Sequence, residues 1–217
     1  MTVTKPIVFI VDDDAGIRRS LPILLATAEL ETRCFASAAE FLAAFDPTQA
    51  GCLLLDVRMP GMSGTALQEE LTRRQARLPI VFMTGYADLP VGVAAMKLGA
   101  VDFLTKPVNG QQLLHCVQAA LDRDRERRLA EAARLGFETR LRKLTARERE
   151  VLALALAGGE NRDIATRLGI SQRTVEGHRA RIYLKTGFNS LLDLARQAGE
   201  AGLKPADLAP RGDPPTP

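Results

Sequence analysis

Short apolar runs alternate with stretches of helical spacing through the first half of the chain, and this alternation restricts the fold more than any other feature. The runs are residues 7–11, 52–55, 80–83 and 101–104, with a weaker one at 32–35. Between them apolar side chains return every three or four positions: Ile17/Leu21/Leu24/Leu25/Ala28, Ala38/Phe41/Leu42/Phe45, Leu67/Leu71, Val91/Ala94/Ala95/Leu98 and Leu113/Leu114/Val117/Leu121. This pattern predicts five strands interleaved with five helices. Runs without polar alternation suit strands buried on both faces, which points to a parallel sheet covered by helices on each side. Asn109 with Gln112, Ser63 and Asp88 are expected helix starts, and Gly99 an expected stop. Pro22 is the misfit: inside the first helix it removes a backbone bond, at a cost of about 3 kcal/mol.

After Leu121 the sequence turns to Asp-Arg-Asp-Arg-Glu-Arg-Arg, read as a helical charged linker over 122–140. A second compact pattern follows. Thr145 and Glu148 have capping-box spacing, Val151/Leu152/Ala155/Leu156 form an apolar face, and Gly158-Gly159 end it. Further short helices fit 161–168, 171–186 and 190–199. The last 14 residues hold five prolines and are expected to be disordered. The expected organisation is therefore an α/β domain at 1–121, the linker at 122–140, a small all-α domain at 141–203 and a tail at 204–217.

Charge follows this division. Residues 1–121 carry net −2, 122–149 net +4 and 150–217 net +1, which hints at an anionic partner for the second half, although charge alone reads 122–143 first as a solvated charged helix. No apolar stretch approaches the roughly 20 residues of a membrane span, and residues 1–6 lack an export-signal layout, so a cytoplasmic location and no membrane partner are expected. Cys34, Cys52 and Cys116 lie far apart in apolar surroundings and read as reduced core residues.

In an open parallel sheet, ligands bind beyond the carboxyl ends of the strands. Asp12, Asp13 and Asp14 follow the first run, Asp56 the third, Thr84 the fourth and Lys106 the fifth. Carboxylates gathered there repel one another, by about 4 kcal/mol for a pair at 4 Å and an effective dielectric of 20. Lys106 and one divalent cation would balance Asp12, Asp13 and Asp56, and Mg²⁺ (or Mn²⁺) suits such an oxygen-rich set. One carboxylate could then take a phosphoryl group, with Thr84 and Lys106 on the phosphate oxygens.

Val11-Asp12-Asp13-Asp14, the stretch from Leu55-Asp56-Val57-Arg58 to Ser63-Gly64, Met83-Thr84-Gly85 and Thr105-Lys106-Pro107 resemble the signature of a response-regulator receiver domain, in order, across residues 5–121. The resemblance implies a flavodoxin-like doubly wound sheet of order 2-1-3-4-5. It also implies Asp56 as phosphoacceptor, Asp13 as direct metal ligand, Asp12 acting through metal-bound water and the Arg58 backbone carbonyl as a further ligand. Thr84 and Phe103 would form the conformational pair, although Phe103 lacks the hydroxyl of a tyrosine, and the Lys106–Pro107 peptide would be cis. Asp12-Asp13-Asp14 also contains the Asp-x-Asp of haloacid-dehalogenase-type phosphatases. That pattern continues differently at Gly16 and needs a late acidic pair, whereas Asp122 and Asp124 fall in the charged helix.

In the second half, residues 161–168, a turn at Gly169-Ile170 and the helix from Ser171 have helix-turn-helix length. Val175, His178 and Ile182 share one face and should pack inward. Gln172, Arg173, Thr174, Glu176, Gly177 and Ala180 then face away, flanked by Arg179, Arg181 and Lys185, a basic helix suited to a major groove. Gly177 costs about 1 kcal/mol of helix stability against Ala. Leu144-Thr145-Ala146-Arg147-Glu148, Asn161-Arg162-Asp163-Ile164-Ala165 and Arg173-Thr174-Val175-Glu176-Gly177-His178-Arg179 resemble the LuxR-type four-helix DNA-binding domain. The two-domain order is similar to the NarL/FixJ class of response regulators.

The resemblance implies a DNA-binding transcriptional regulator, not an enzyme beyond slow self-phosphorylation and self-dephosphorylation. Its implied partners are a sensor histidine kinase, promoter DNA, RNA polymerase and a second copy of the chain on activation. In the last helix Leu191, Leu192, Leu194 and Ala195 exceed the needs of one small core; the resemblance implies that this helix can form the dimer contact, with packing inside its own domain the alternative for some of these residues. The main alternative is a transcription factor whose first domain works without phosphorylation.

Overall fold

The computed structural model describes residues 5–85 and 99–203. The helix expected around residues 91–98, its Asp88 cap and the tail at 204–217 lie outside the described residues. The described chain divides into two compact units at Arg127/Arg128.

The first unit is built on a five-stranded parallel sheet of order β2-β1-β3-β4-β5: β1 (Ile7–Val11), β2 (Glu31–Phe35), β3 (Gly51–Asp56), β4 (Ile80–Thr84) and β5 (Asp102–Thr105). Consecutive strand residues point to opposite faces. Phe9, Val11, Leu53, Leu55 and Phe82 therefore join one core with Phe41, Leu67 and Leu71 from α2 (Ala38–Ala44) and α3 (Gly64–Arg73). Val8, Ile10, Leu54, Val81 and Met83 join the other, with Leu21, Leu25, Leu113 and Val117 from α1 (Ala15–Ala26) and α4 (Gly110–Leu141). Both faces of the sheet are buried, as continuous apolar strands require. Ser63 caps α3 through Ala66 N, and Asn109 accepts from the amides of Gln111 and Gln112 at the start of α4.

Pro22 does lie inside α1. Because it has no N–H, the Arg18 carbonyl four residues earlier loses its helical donor. The Cys34 thiol of β2 donates to that carbonyl at 3.5 Å, a weak replacement drawn from the neighbouring strand. The other cysteines, Cys52 and Cys116, are buried free thiols, each pushed up to about 12, mainly by burial. Their placement matches the expectation of reduced core residues.

Gly51 opens β3 at φ 155°, and a Cβ there would stand 1.9 Å from the Ile7 carbonyl oxygen. No larger residue fits between these two strands. Its amide donates at 3.0 Å to Asp124, which is buried at 2% exposure and ion-paired with Arg127. This contact fastens the turn of α4 beyond Leu121 to the amino end of β3.

The second unit contains the remainder of α4 and four helices: α5 (Ala146–Leu156), α6 (Asn161–Leu168), α7 (Gln172–Thr186) and α8 (Leu191–Glu200). The Thr145/Glu148 capping box forms, and Gly169 and Gly187 end α6 and α7 in the left-handed conformation. Its core includes Phe137, inside the stretch expected as linker. Phe137 packs on Phe188 with ring centroids 5.6 Å apart, and the Arg140 guanidinium lies over the Phe188 ring. Helix α4 runs through Gly136, which one glycine in an otherwise helical stretch does not prevent.

Asp124→Ala leaves the Gly51 amide without its acceptor and frees Arg127 from its ion pair. An expected loss of about 1–3 kcal/mol is checked by urea unfolding of the variant beside wild type.

Candidate functional site

Because β1 and β3 are adjacent and in register, their carboxyl ends deliver carboxylates to one place. Asp12 follows β1 and is fully buried, Asp13 is exposed, and Asp56 ends β3 at 8% exposure. Single oxygens of the three lie within 4.8 Å of one another. Thr84, fully buried, ends β4, and its hydroxyl donates to the Gly85 carbonyl at 3.1 Å. Lys106, just after β5, places Nζ 2.7 Å from Asp12 Oδ2 and 3.2 Å from Asp56 Oδ1. The Lys106–Pro107 peptide is cis. Phe103 is partly buried against the core shared by β1, β3 and α3, and Arg58 follows β3 with its side chain exposed.

Two residues that the sequence leaves without a role support this pocket. Arg18 Nη1 donates to the Asp12 backbone carbonyl at 2.7 Å, holding the β1–α1 turn. Gly64 donates its amide to the Val57 carbonyl, and a Cβ on it would stand 2.1 Å from the Asp56 carbonyl oxygen. The glycine lets α3 begin directly against the strand end that carries Asp56. Asp14 is drawn into the turn: its carboxylate caps α1 through Gly16 N at 2.6 Å, and its own amide donates to Asp12 at 2.9 Å.

Burial is the first cause that raises the Asp56 carboxyl above its ordinary range, with the charges of Asp12 and Asp13 adding to it and Lys106 opposing it. Burial works against the Lys106 ammonium, yet the hydrogen bonds and charges of Asp12 and Asp56 outweigh it and raise its pKa. Three converging carboxylates share one ammonium. The hard oxygen donors and the residual negative charge fit a divalent cation of the Mg²⁺ type.

The acidic residues of the charged helix do not reach this pocket. Asp124 is bonded at the opposite end of β3, and Asp122 accepts from Gln118 on its own helix. The second acidic pair needed for a haloacid-dehalogenase-type site is not supplied by them.

In the second unit α6, the Gly169 turn and α7 form the helix-turn-helix. Val175 and Ile182 are buried and His178 is half-buried, so the inward face of α7 is the expected one. Gln172, Arg173, Thr174, Glu176, Ala180 and Arg181 are exposed. A Cβ on Gly177 would meet nothing, so packing within the domain makes no demand for glycine there. Two basic residues expected on the outer surface are engaged inside the domain. Arg179 donates to Asn161 Oδ1 at 2.7 Å, tying α7 to the start of α6. Lys185 donates to both carboxylate oxygens of the buried Glu148, at 2.9 and 2.7 Å. Arg147, which spacing alone does not single out, donates to the Leu168 carbonyl at the end of α6.

Residues 8–118 match the family model for the response regulator receiver domain, and residues 142–198 that for bacterial regulatory proteins of the luxR family. The chain is a response regulator of the NarL/FixJ class. It is 45% identical to the transcriptional regulatory protein FixJ of Azorhizobium caulinodans over 93% of this chain and 96% of that protein. Identity to nodulation protein W of Bradyrhizobium diazoefficiens is 43%, over 92% of this chain and 88% of that one. Among solved structures, the response regulator StyR is similar with a TM-score of 0.79 at 44% identity, covering 90% of this chain and 99% of that one. Full-length FixJ from B. japonicum is similar with a TM-score of 0.58 at 40% identity, covering 92% and 98%.

The response regulator is a phosphorylation-dependent transcriptional regulator, with a phosphoacceptor domain ahead of a DNA-binding one. Among the described residues no helix is long and apolar enough to cross a membrane.

Replacing Lys106 by Met removes an ammonium that lowers the Asp56 pKa while Asp12 and Asp13 remain. Carboxyl NMR of metal-free protein is expected to show Asp56 titrating above its wild-type value, and an unchanged or lower value refutes this electrostatic account. In the second unit, burial opposes ionisation of Glu148, but Lys185 and the Thr145 cap overcome it and hold its pKa below the usual 4.5. Stability from this carboxylate is complete above 4.5 and is lost as pH falls through the depressed value. Amide exchange of α5 and α7 should accelerate over that window in wild type, whereas Glu148→Gln should be less protected at neutral pH and lack the window.

Proposed function

We propose that Asp56 is the phosphoacceptor and that a sensor histidine kinase is the donor. The observation that carries this reading is the position of Lys106 Nζ, 2.7 Å from Asp12 and 3.2 Å from Asp56, beside a group of three carboxylates. An Asp56 oxygen attacks the phosphorus; the new Asp56 O–P bond forms as the bond to the donor histidine nitrogen breaks, and the imidazole leaves. Asp13, Asp56 and the Arg58 backbone carbonyl would hold Mg²⁺ or Mn²⁺ directly, with Asp12 acting through water. When bound, the cation supplies charge neutralisation for the approaching phosphate and polarises its oxygens. Lys106 then exchanges a carboxylate partner for a phosphoryl oxygen, and the Thr84 hydroxyl turns from the Gly85 carbonyl to another.

Moving Thr84 frees room for Phe103, whose packing transmits the change without a hydroxyl. Self-phosphorylation and self-dephosphorylation are slow. The setting is the cytoplasm. In the DNA-binding unit, Gln172, Arg173, Thr174, Glu176 and Arg181 face the groove, with Gly177 allowing close backbone approach. Arg179 and Lys185 set the angle of α7 through Asn161 and Glu148. Two copies bind two half-sites together, and Leu192, 80% exposed on α8, supplies apolar surface for that pairing. The promoter-bound dimer is the form that meets RNA polymerase.

Asp56→Asn tests the reading. It should eliminate phosphoryl uptake from the partner kinase and, in footprinting with and without that kinase, any phosphate-dependent gain in promoter occupancy. Wild-type activation in this variant would overturn the assignment.

A further inference from the structure

At the end of the sheet opposite the carboxylates, a cavity of about 380 Å³ opens among the end of α3, the starts of β4 and β5, and the turn of α4 after Leu121. Its wall includes the apolar side chains of Leu71, Leu78 and Ile80, and three guanidinium groups, Arg77, Arg123 and Arg127, border it; among the described residues no Asp or Glu lines it. Arg127 is neutralised by Asp124. Among the described residues neither Arg77 nor Arg123 has a carboxylate partner, although both are exposed and free to take one. Nearby Arg73 and Arg74, by contrast, both pair with Glu70. Two uncompensated cations of like sign beside one concave surface are most stable with an anion between them, and a guanidinium fork matches a phosphate or carboxylate with two parallel hydrogen bonds. The volume lies in the range of small-molecule sites.

We propose that this cleft binds a small organic anion: a phosphate or carboxylate head held by Arg77 and Arg123, with a compact apolar body against Leu71, Leu78 and Ile80. Such a ligand ties the end of α3 to α4 independently of Asp56, because the two sites lie at opposite ends of the strands.

The test uses the full chain in chelator-containing buffer, which keeps Asp56 chemistry silent. Phenyl phosphate and phthalate are titrated by calorimetry and amide NMR, with inorganic phosphate supplying the head alone and benzyl alcohol the body alone. Saturable binding of phenyl phosphate or phthalate is expected, with shifts centred on residues 77–80 and 123; the tighter of the two identifies the head group. Arg77→Gln with Arg123→Gln should weaken binding at least tenfold, while Arg33→Gln, an exposed arginine on β2, should leave it unchanged. The double variant should still respond to beryllofluoride with Mg²⁺ as wild type does, which separates this site from the phosphoacceptor.

The proposal is overturned if neither anion binds saturably, if the shifts centre elsewhere, if Arg33→Gln weakens binding as much as the double variant, or if either fragment alone binds as tightly as the joined probes.

Discussion

The carboxyl edge of the sheet depends on holding like charges together. Asp12 and Asp56 are buried carboxylates at the carboxyl ends of adjacent strands, with Asp13 completing the group. Their mutual repulsion is on the order of several kcal/mol in a partly buried setting. The Lys106 ammonium, bonded to both buried members, makes the arrangement tolerable without fully neutralising it. The compensation is incomplete, and residual negative charge on hard oxygen donors suits a divalent cation. The sheet supplies this placement: β1 and β3 are neighbours, and β5 ends close enough for Lys106 to reach across.

Glycines and backbone contacts make those approaches possible. Gly64 admits α3 against the Asp56 backbone, and Gly51 admits β3 against Ile7 at the other end of the strand. Arg18 steadies the turn that carries Asp12. None of these residues belongs to the carboxylate group; Gly64 and Arg18 fix the backbone that carries Asp56 and Asp12. The same logic governs the helical unit, where Arg179 and Lys185 are bonded to Asn161 and Glu148. A basic helix is thus divided between cations that shape the domain and cations, such as Arg173 and Arg181, that remain exposed.

Much of this was legible beforehand. The strand positions, the strand-end placement of Asp12, Asp13, Asp56, Thr84 and Lys106, and the capping box of Thr145 and Glu148 all follow from periodicity and local hydrogen-bonding chemistry, which act over a few residues. The partners of Pro22 and Lys185 do not. The carbonyl that Pro22 leaves without a helical donor meets a thiol on β2, and Lys185 meets Glu148, 37 positions away. Phe137 joins a core whose other members lie beyond the charged stretch. Such pairings depend on which surfaces happen to face one another after packing, and no local pattern encodes them.

By itself, then, the sequence determined the alternation of strands and helices, the parallel sheet and the class of chemistry at its carboxyl edge, because side-chain period and hydrogen-bonding type are properties of the chain. Tertiary structure alone decided which basic residues stay exposed, why Gly51 and Gly64 admit no side chain, and that arginines from α4 and from the segment after α3 border one cleft. Those outcomes are set by distances between segments remote in the chain, and such distances come into being only when the sheet and its helices have packed.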